Sequence, residues 1–90
     1  MTHEELRRQD IQDLRTLLRI REGARFLSRL FGMTGVFAIS YVPGDAGGTA
    51  FREGARNVGL PIYADVLNAD EDALALLRTA AREREITEEE

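Results

Sequence analysis

The run Val36-Phe37-Ala38-Ile39-Ser40-Tyr41-Val42, followed by Pro43-Gly44-Asp45-Ala46-Gly47-Gly48, decides how the rest of this chain is read. Its β-branched and aromatic residues suit an extended backbone, and the Pro/Gly-rich stretch after it marks a loop. No other segment has that character, so a strand here would find no second strand in the chain to pair with. Residues 33–48 are therefore expected as one extended apolar segment and a Gly-rich loop, set between the second and third helices of an all-α fold. Two placements stay open. Either Phe37, Ile39 and Tyr41 turn inward over a helical core, or the segment's edge or its aromatics dock on another subunit.

Helical periodicity accounts for both flanks of that run, and the spacing predicts a bundle of about four helices forming a single domain over residues 1–90. A first helix is expected over about 3–20, with Thr2 as N-cap and Glu4 and Glu5 in the first turn, where negative charge meets the helix dipole. Leu6, Leu14, Leu17 and Ile20, widened by Ile11 and Leu18, form its apolar arc; Glu4, Arg8, Gln12, Arg15 and Arg19 share the opposite side. A second helix over about 22–31 would carry Ala24, Leu27, Leu30 and Phe31 on one face, broadened by Phe26, and stop at Gly32 and Gly35. The third, over about 49–68, carries Phe51, Ala55, Val58, Ile62, Val66 and Leu67, with a kink expected near Val58 to Pro61 that Gly59 would ease. Asp70 is expected to cap a fourth helix reaching about Arg84, with Leu74, Leu77 and Ala81 as its core stripe and residues 85–90 as an acidic tail.

One sequence echo stands out: Arg21-Glu22-Gly23-Ala24-Arg25 returns as Arg52-Glu53-Gly54-Ala55-Arg56. Glycine inside a helix costs about 1 kcal/mol relative to alanine. Two at matched places suggest that helices 2 and 3 cross at Gly23 and Gly54, with Glu22, Arg25, Glu53 and Arg56 pairing across the crossing. Coincidence in an Ala-, Arg- and Glu-rich composition explains the echo equally well.

Composition bounds the function. Cysteine is absent, which removes disulfides and thiolate metal sites. The sole histidine, His3, lies near a helix start that is expected to fray, and neither Ser28 nor Ser40 has a base in view to activate it. The carboxylates Asp10 and Asp13 suit a solvated helix face, and Asp70, Glu71 and Asp72 suit a helix start. The loop Pro43 to Thr49, with Arg52 beyond it, could offer amides to an anion, but it lacks the lysine of a phosphate-binding loop. No enzyme activity, cofactor or metal is expected. The apolar runs are far shorter than the roughly 20 residues needed to span a bilayer, and Met1 to Glu5 has no signal-peptide pattern, so a cytosolic protein without a membrane role is expected. All 12 basic residues are arginine, and the net charge of −4 argues against wholesale binding to nucleic-acid phosphates. Arg8, Arg15 and Arg19 are instead expected to face solvent or a protein partner, arginine being the basic residue suited to bidentate carboxylate contacts.

The residues Glu22 to Leu30, then Gly35-Val36-Phe37, then Thr49-Ala50-Phe51-Arg52-Glu53-Gly54-Ala55-Arg56-Asn57-Val58-Gly59-Leu60 resemble a small phage-protein family first named from a Bordetella podovirus. The likeness spans roughly residues 10 to 80. That family typically shows Glu-Gly-Arg-Arg where this chain has Ala24 and Ala55 in place of one arginine of each pair. The resemblance implies a gene in the structural cluster of a tailed phage, near portal, scaffold and major capsid genes, with no assigned chemistry. The expectation is a virion or virion-assembly protein, present in the host cytoplasm during assembly and in the particle. It would bind portal, scaffold, capsid or internal ejection proteins, self-associate, and meet its partner through Phe37, Ile39, Tyr41 and the exposed arginines. The alternatives are a small DNA-packaging or regulatory factor using the helix 1 arginines, and a host-directed inhibitor.

Overall fold

The computed structural model describes residues 1–38 and 41–85, over which four helices follow in order: α1 (His3–Arg19), α2 (Arg21–Thr34), α3 (Ala46–Ala69) and α4 (Ala73–Glu83). No strand occurs among the described residues, and the fold is the expected small all-α bundle. Ile39, Ser40 and residues 86–90 lie outside them, so the expectations placed on Ile39 and on residues 86–90 of the acidic tail fall outside the described residues.

Local chemistry explains the helix ends. Thr2 Oγ1 accepts from the Glu5 amide at 3.1 Å, the N-cap expected from the sequence. Only Ile20 separates α1 from α2; its extended backbone (φ −101°, ψ 128°) turns the chain back at once. α2 runs past Phe31 to Thr34 and closes on Gly35 in the left-handed region (φ 69°). The Val36 amide then reaches back to the Phe31 carbonyl at 3.2 Å, a closure that normally brings the following apolar side chain onto the helix's last turn. Val36 is accordingly buried while Phe37 is 71% exposed. This corrects the expectation of one extended segment over residues 33–48. Met33 and Thr34 are helical, residues 35–38 form a turn, and α3 already begins at Ala46.

α3 starts earlier than expected because Asp45, not Thr49, is its cap: the Asp45 carboxylate accepts from the Gly48 amide at 3.1 Å. Thr49 instead joins the loop to the helix, its Oγ1 accepting from the Val42 amide at 3.1 Å. The helix continues through Pro61 without interruption. The carbonyl that proline leaves without a donor belongs to Asn57, which is exposed and open to water. Gly59 has a different task from easing a kink. It is buried, and a Cβ there would collide with Thr34 and Val36 at the end of α2.

The proposed crossing of α2 and α3 at Gly23 and Gly54 does not exist. Gly23 is buried against the backbone of Leu17 in α1, a closeness forced by the one-residue link, while a Cβ on Gly54 would meet open space. Gly23 therefore lets the backbones of α1 and α2 approach closely, and Gly59 makes room on α3 for the side chains of Thr34 and Val36.

The core joins Leu18, Leu27, Phe31, Val36, Val66, Ala73 and Leu77, with Leu14, Leu60, Ile62, Tyr63 and Leu76 packed on it. The stripes are rotated from those expected. Leu6 and Leu17 of α1, Ile20 of the link, Phe51, Val58 and Leu67 of α3, and Leu74 of α4 are exposed, and α4 buries Ala73, Leu77 and Ala80. The Cα envelope of 46 × 39 × 17 Å explains the surplus. Helices pack about 8–10 Å apart, so so thin a slab holds about two layers and leaves apolar faces without a neighbour.

Candidate functional site

Ion pairs lock the slab, and one of them engages a candidate binding residue, Arg19. Arg19 donates to the Asp70 carboxylate from Nε at 2.7 Å and Nη2 at 2.8 Å, and Nη2 also reaches Asp72 at 3.0 Å. Asp70 is buried, its side chain 2% exposed, and it additionally accepts from the Asp72 amide at 2.9 Å. Asp70 thus pins the α3–α4 turn to the end of α1, and α4 itself starts at Ala73 rather than directly after Asp70. Arg7 makes a second two-pronged pair with Asp65 of α3, and Arg21 meets Glu83 at 3.2 Å. Arg19 is therefore engaged within the fold although about half of its side chain stays exposed. Arg8 and Arg15 are exposed.

The guanidinium beside each carboxylate holds Asp70 and Asp65 below the ordinary carboxyl range, chiefly by hydrogen bonding. A carboxyl depressed on folding stabilises the fold above its unfolded value, near 3.8 here, and that stability disappears as pH falls through the folded value. The urea midpoint should stay flat from about pH 7 to about pH 5 and drop steeply below about pH 4. Asp70→Asn should lower the midpoint at neutral pH and flatten the acid limb; an acid limb identical to that of the parent would show that Asp70 contributes nothing to it.

The two echo segments serve locally. Glu22 and Arg25 pair within α2 at 3.7 Å, and Arg25 also approaches Glu83 at 3.8 Å. Glu53 and Arg56 lie part-buried on α3, and the Arg56 Nε is buried with no hydrogen-bond partner. The loop before α3 is not an anion cradle. The Asp45 carboxylate already occupies the helix start, with Arg52 3.4 Å from it.

What the slab leaves open is apolar. Phe31, Tyr63 and Phe37 form a chain of edge-on rings, with centroids 5.3 Å apart for the first pair and 5.1 Å for the second. Such contacts add about 0.5–1.5 kcal/mol each and hold Phe37 in place although most of its surface meets solvent. Beside it a cavity of about 460 Å³ opens between α2 and α4, with Ser28, Leu74, Leu77, Arg78 and Ala81 completing its wall. A second apolar depression lies past the end of α2, lined by Met33, Gly35, Ala38, Phe51 and Ala55. Tyr41 is 67% exposed. Sequence reasoning missed Tyr63 and placed Leu74 and Ala81 in the core. Residues 74, 77 and 81 and residues 73, 77 and 80 fit helical spacing equally well, so no sequence signal separated them.

No group of three histidine or acidic residues stands close enough to hold a metal ion among the described residues, and no described helix is long and apolar enough to cross a membrane. A family model of Bbp19-like phage proteins matches residues 14–79. The chain belongs to the Bbp19-like family. No curated protein and no solved structure matches it. The stretch matched to the Bbp19-like family holds both echo segments, the Phe31–Tyr63–Phe37 ring chain and the Asp70 anchor, but neither Arg7 nor Arg8.

Proposed function

We propose that this Bbp19-like protein is a non-enzymatic virion or virion-assembly component that acts by binding another phage structural protein, with portal, scaffold, capsid and internal ejection proteins as the candidate partners. The observation that carries the reading is the apolar groove at Phe37, Tyr63 and Leu74, where ordered aromatic and aliphatic surface stands in solvent on a protein of a phage family. Rigid aromatics at the centre of an apolar depression are the usual anchors of protein interfaces. The DNA-binding alternative is weakened by the engagement of Arg19 with Asp70 and Asp72, which leaves Arg8 and Arg15 as the remaining members of that row.

The protein would act in the host cytoplasm during assembly and be retained in the particle. Mass spectrometry of purified virions and of assembly intermediates should detect it, and the tagged protein should capture a phage structural protein from infected cells. Phe37→Ser should abolish that capture while costing the fold only about 1 kcal/mol, since it removes little more than an edge contact. Absence from particles and intermediates, together with no captured structural protein, would refute the proposal.

A further inference from the structure

The groove at Phe37 is one end of a longer seam. Three depressions adjoin along α2 and α4: one at Phe37 and Leu74, a middle one sharing Ser28 and Ala81 with it, and a third sharing Arg29 and Arg84 with the middle one. On α2 the seam is walled by Glu22, Phe26, Arg29 and Met33, spaced four, three and four residues apart, which keeps them on one face. Glu22 to Met33 covers three helical turns, about 17 Å of axis.

The charge of this seam is opposite to that of the molecule. The chain carries a net −4, yet the seam is lined by Arg25, Arg29, Arg78 and Arg84 against the single acid Glu22. Glu22 is itself taken up by Arg25. Arg29 packs over the Phe26 ring at 5.4 Å, and Arg29, Arg78 and Arg84 make no ion pair among the described residues. Elsewhere in the fold Arg7, Arg19 and Arg21 have each found a carboxylate, while Arg8, Arg15 and Arg82 make no ion pair among the described residues but line none of these depressions.

We infer that the α2–α4 seam is a docking groove for an acidic amphipathic helix of the partner protein. Apolar side chains spaced along the seam, Phe26, Met33 and Ala81 leading to Leu74 at the Phe37 end, take the partner's i, i+4, i+7 residues, and the unpaired guanidinium groups of Arg29, Arg78 and Arg84 meet acids beside them. The inference rests on the protein-binding reading for the class of its partner and adds the partner's chemistry and register.

The probe is a synthetic, fluorescently labelled helix about three turns long, with leucines on one stripe and glutamates flanking it, beside a twin with lysines for the glutamates. Anisotropy should show the glutamate helix binding the full chain in a salt-sensitive way and the lysine twin not binding. Arg29→Glu with Arg78→Glu should weaken binding by roughly tenfold or more, whereas Phe51→Ser, in the other apolar depression, should leave it unchanged. Amide shifts should map to α2 and α4.

Equal binding of both helices, no binding of either, or shifts elsewhere would overturn the inference. So would binding only after residues 86–90 are removed, which would make the chain's own acidic end the occupant. A solution dimer that the paired arginine variant dissociates would identify a second copy, and displacement of the probe by duplex DNA would identify a nucleic acid; each overturns it. The protein's presence in virions is decided separately. Failure of the probe with the protein found in particles or assembly intermediates sinks this inference alone, and binding of the probe by a protein that is absent from both and captures no structural protein sinks the assembly reading alone.

Discussion

Replacing Phe31 by alanine is expected to lower the unfolding free energy by about 3–5 kcal/mol. Phe31 is 1% exposed and belongs to the same buried cluster as Leu27 of α2, Val36 of the turn after it and Leu77 of α4. Its ring also anchors Tyr63, which in turn positions Phe37. A domain of this length has only about 5–13 kcal/mol of stability in total, and the variant should be partly unfolded at ambient temperature. Urea denaturation followed by circular dichroism measures the effect. Phe51→Ala is the internal comparison: that ring is 78% exposed, and its loss should change stability by no more than about 0.5 kcal/mol. Equal effects at the two positions would mean that the core is not where the structure places it.

Two glycines in nearly identical sequence should respond to alanine with opposite sign. Gly23→Ala would drive a methyl into the Leu17 backbone, which has no flexible side-chain end to yield, so α1 and α2 must move apart. The expected cost is about 1–3 kcal/mol, the usual range for overpacking, and it outweighs the gain in helix propensity. Gly54→Ala meets open space within α3 and should raise stability by about 0.5–1 kcal/mol. Thermal and urea melts of the two variants side by side would check this. Stabilisation at Gly23 would remove the close α1–α2 contact from the account.

The repeated motif around those glycines shows why local sequence underdetermines the site. Glu-Gly-Ala-Arg occurs in both helices, but only Gly23 follows a one-residue link to another helix. The link sets the backbone distance, and nothing in the motif encodes it. The arginines teach the same lesson. Arg8, Arg15 and Arg19 share one helix face, yet only Arg19 hydrogen-bonds to the carboxylates at the α3–α4 turn, far away in sequence. Phe37 and Tyr41 are largely exposed, so of the two placements left open by the sequence the inward one over the helical core is not adopted by either residue.

The sequence by itself determined four helices and no sheet, because periodicity, caps and the lack of a second β-like run act over a few residues at a time. It also determined membership of the Bbp19-like family through residues 14–79. The tertiary structure alone decided which apolar stripe each helix buries, which arginines are neutralised and which apolar side chains stay in solvent. Those outcomes depend on the rotation and spacing of helices within a slab 17 Å thick. Rotation is chosen by the sum of contacts from every neighbour, and stripes one residue apart on a helix are nearly degenerate until those neighbours are in place.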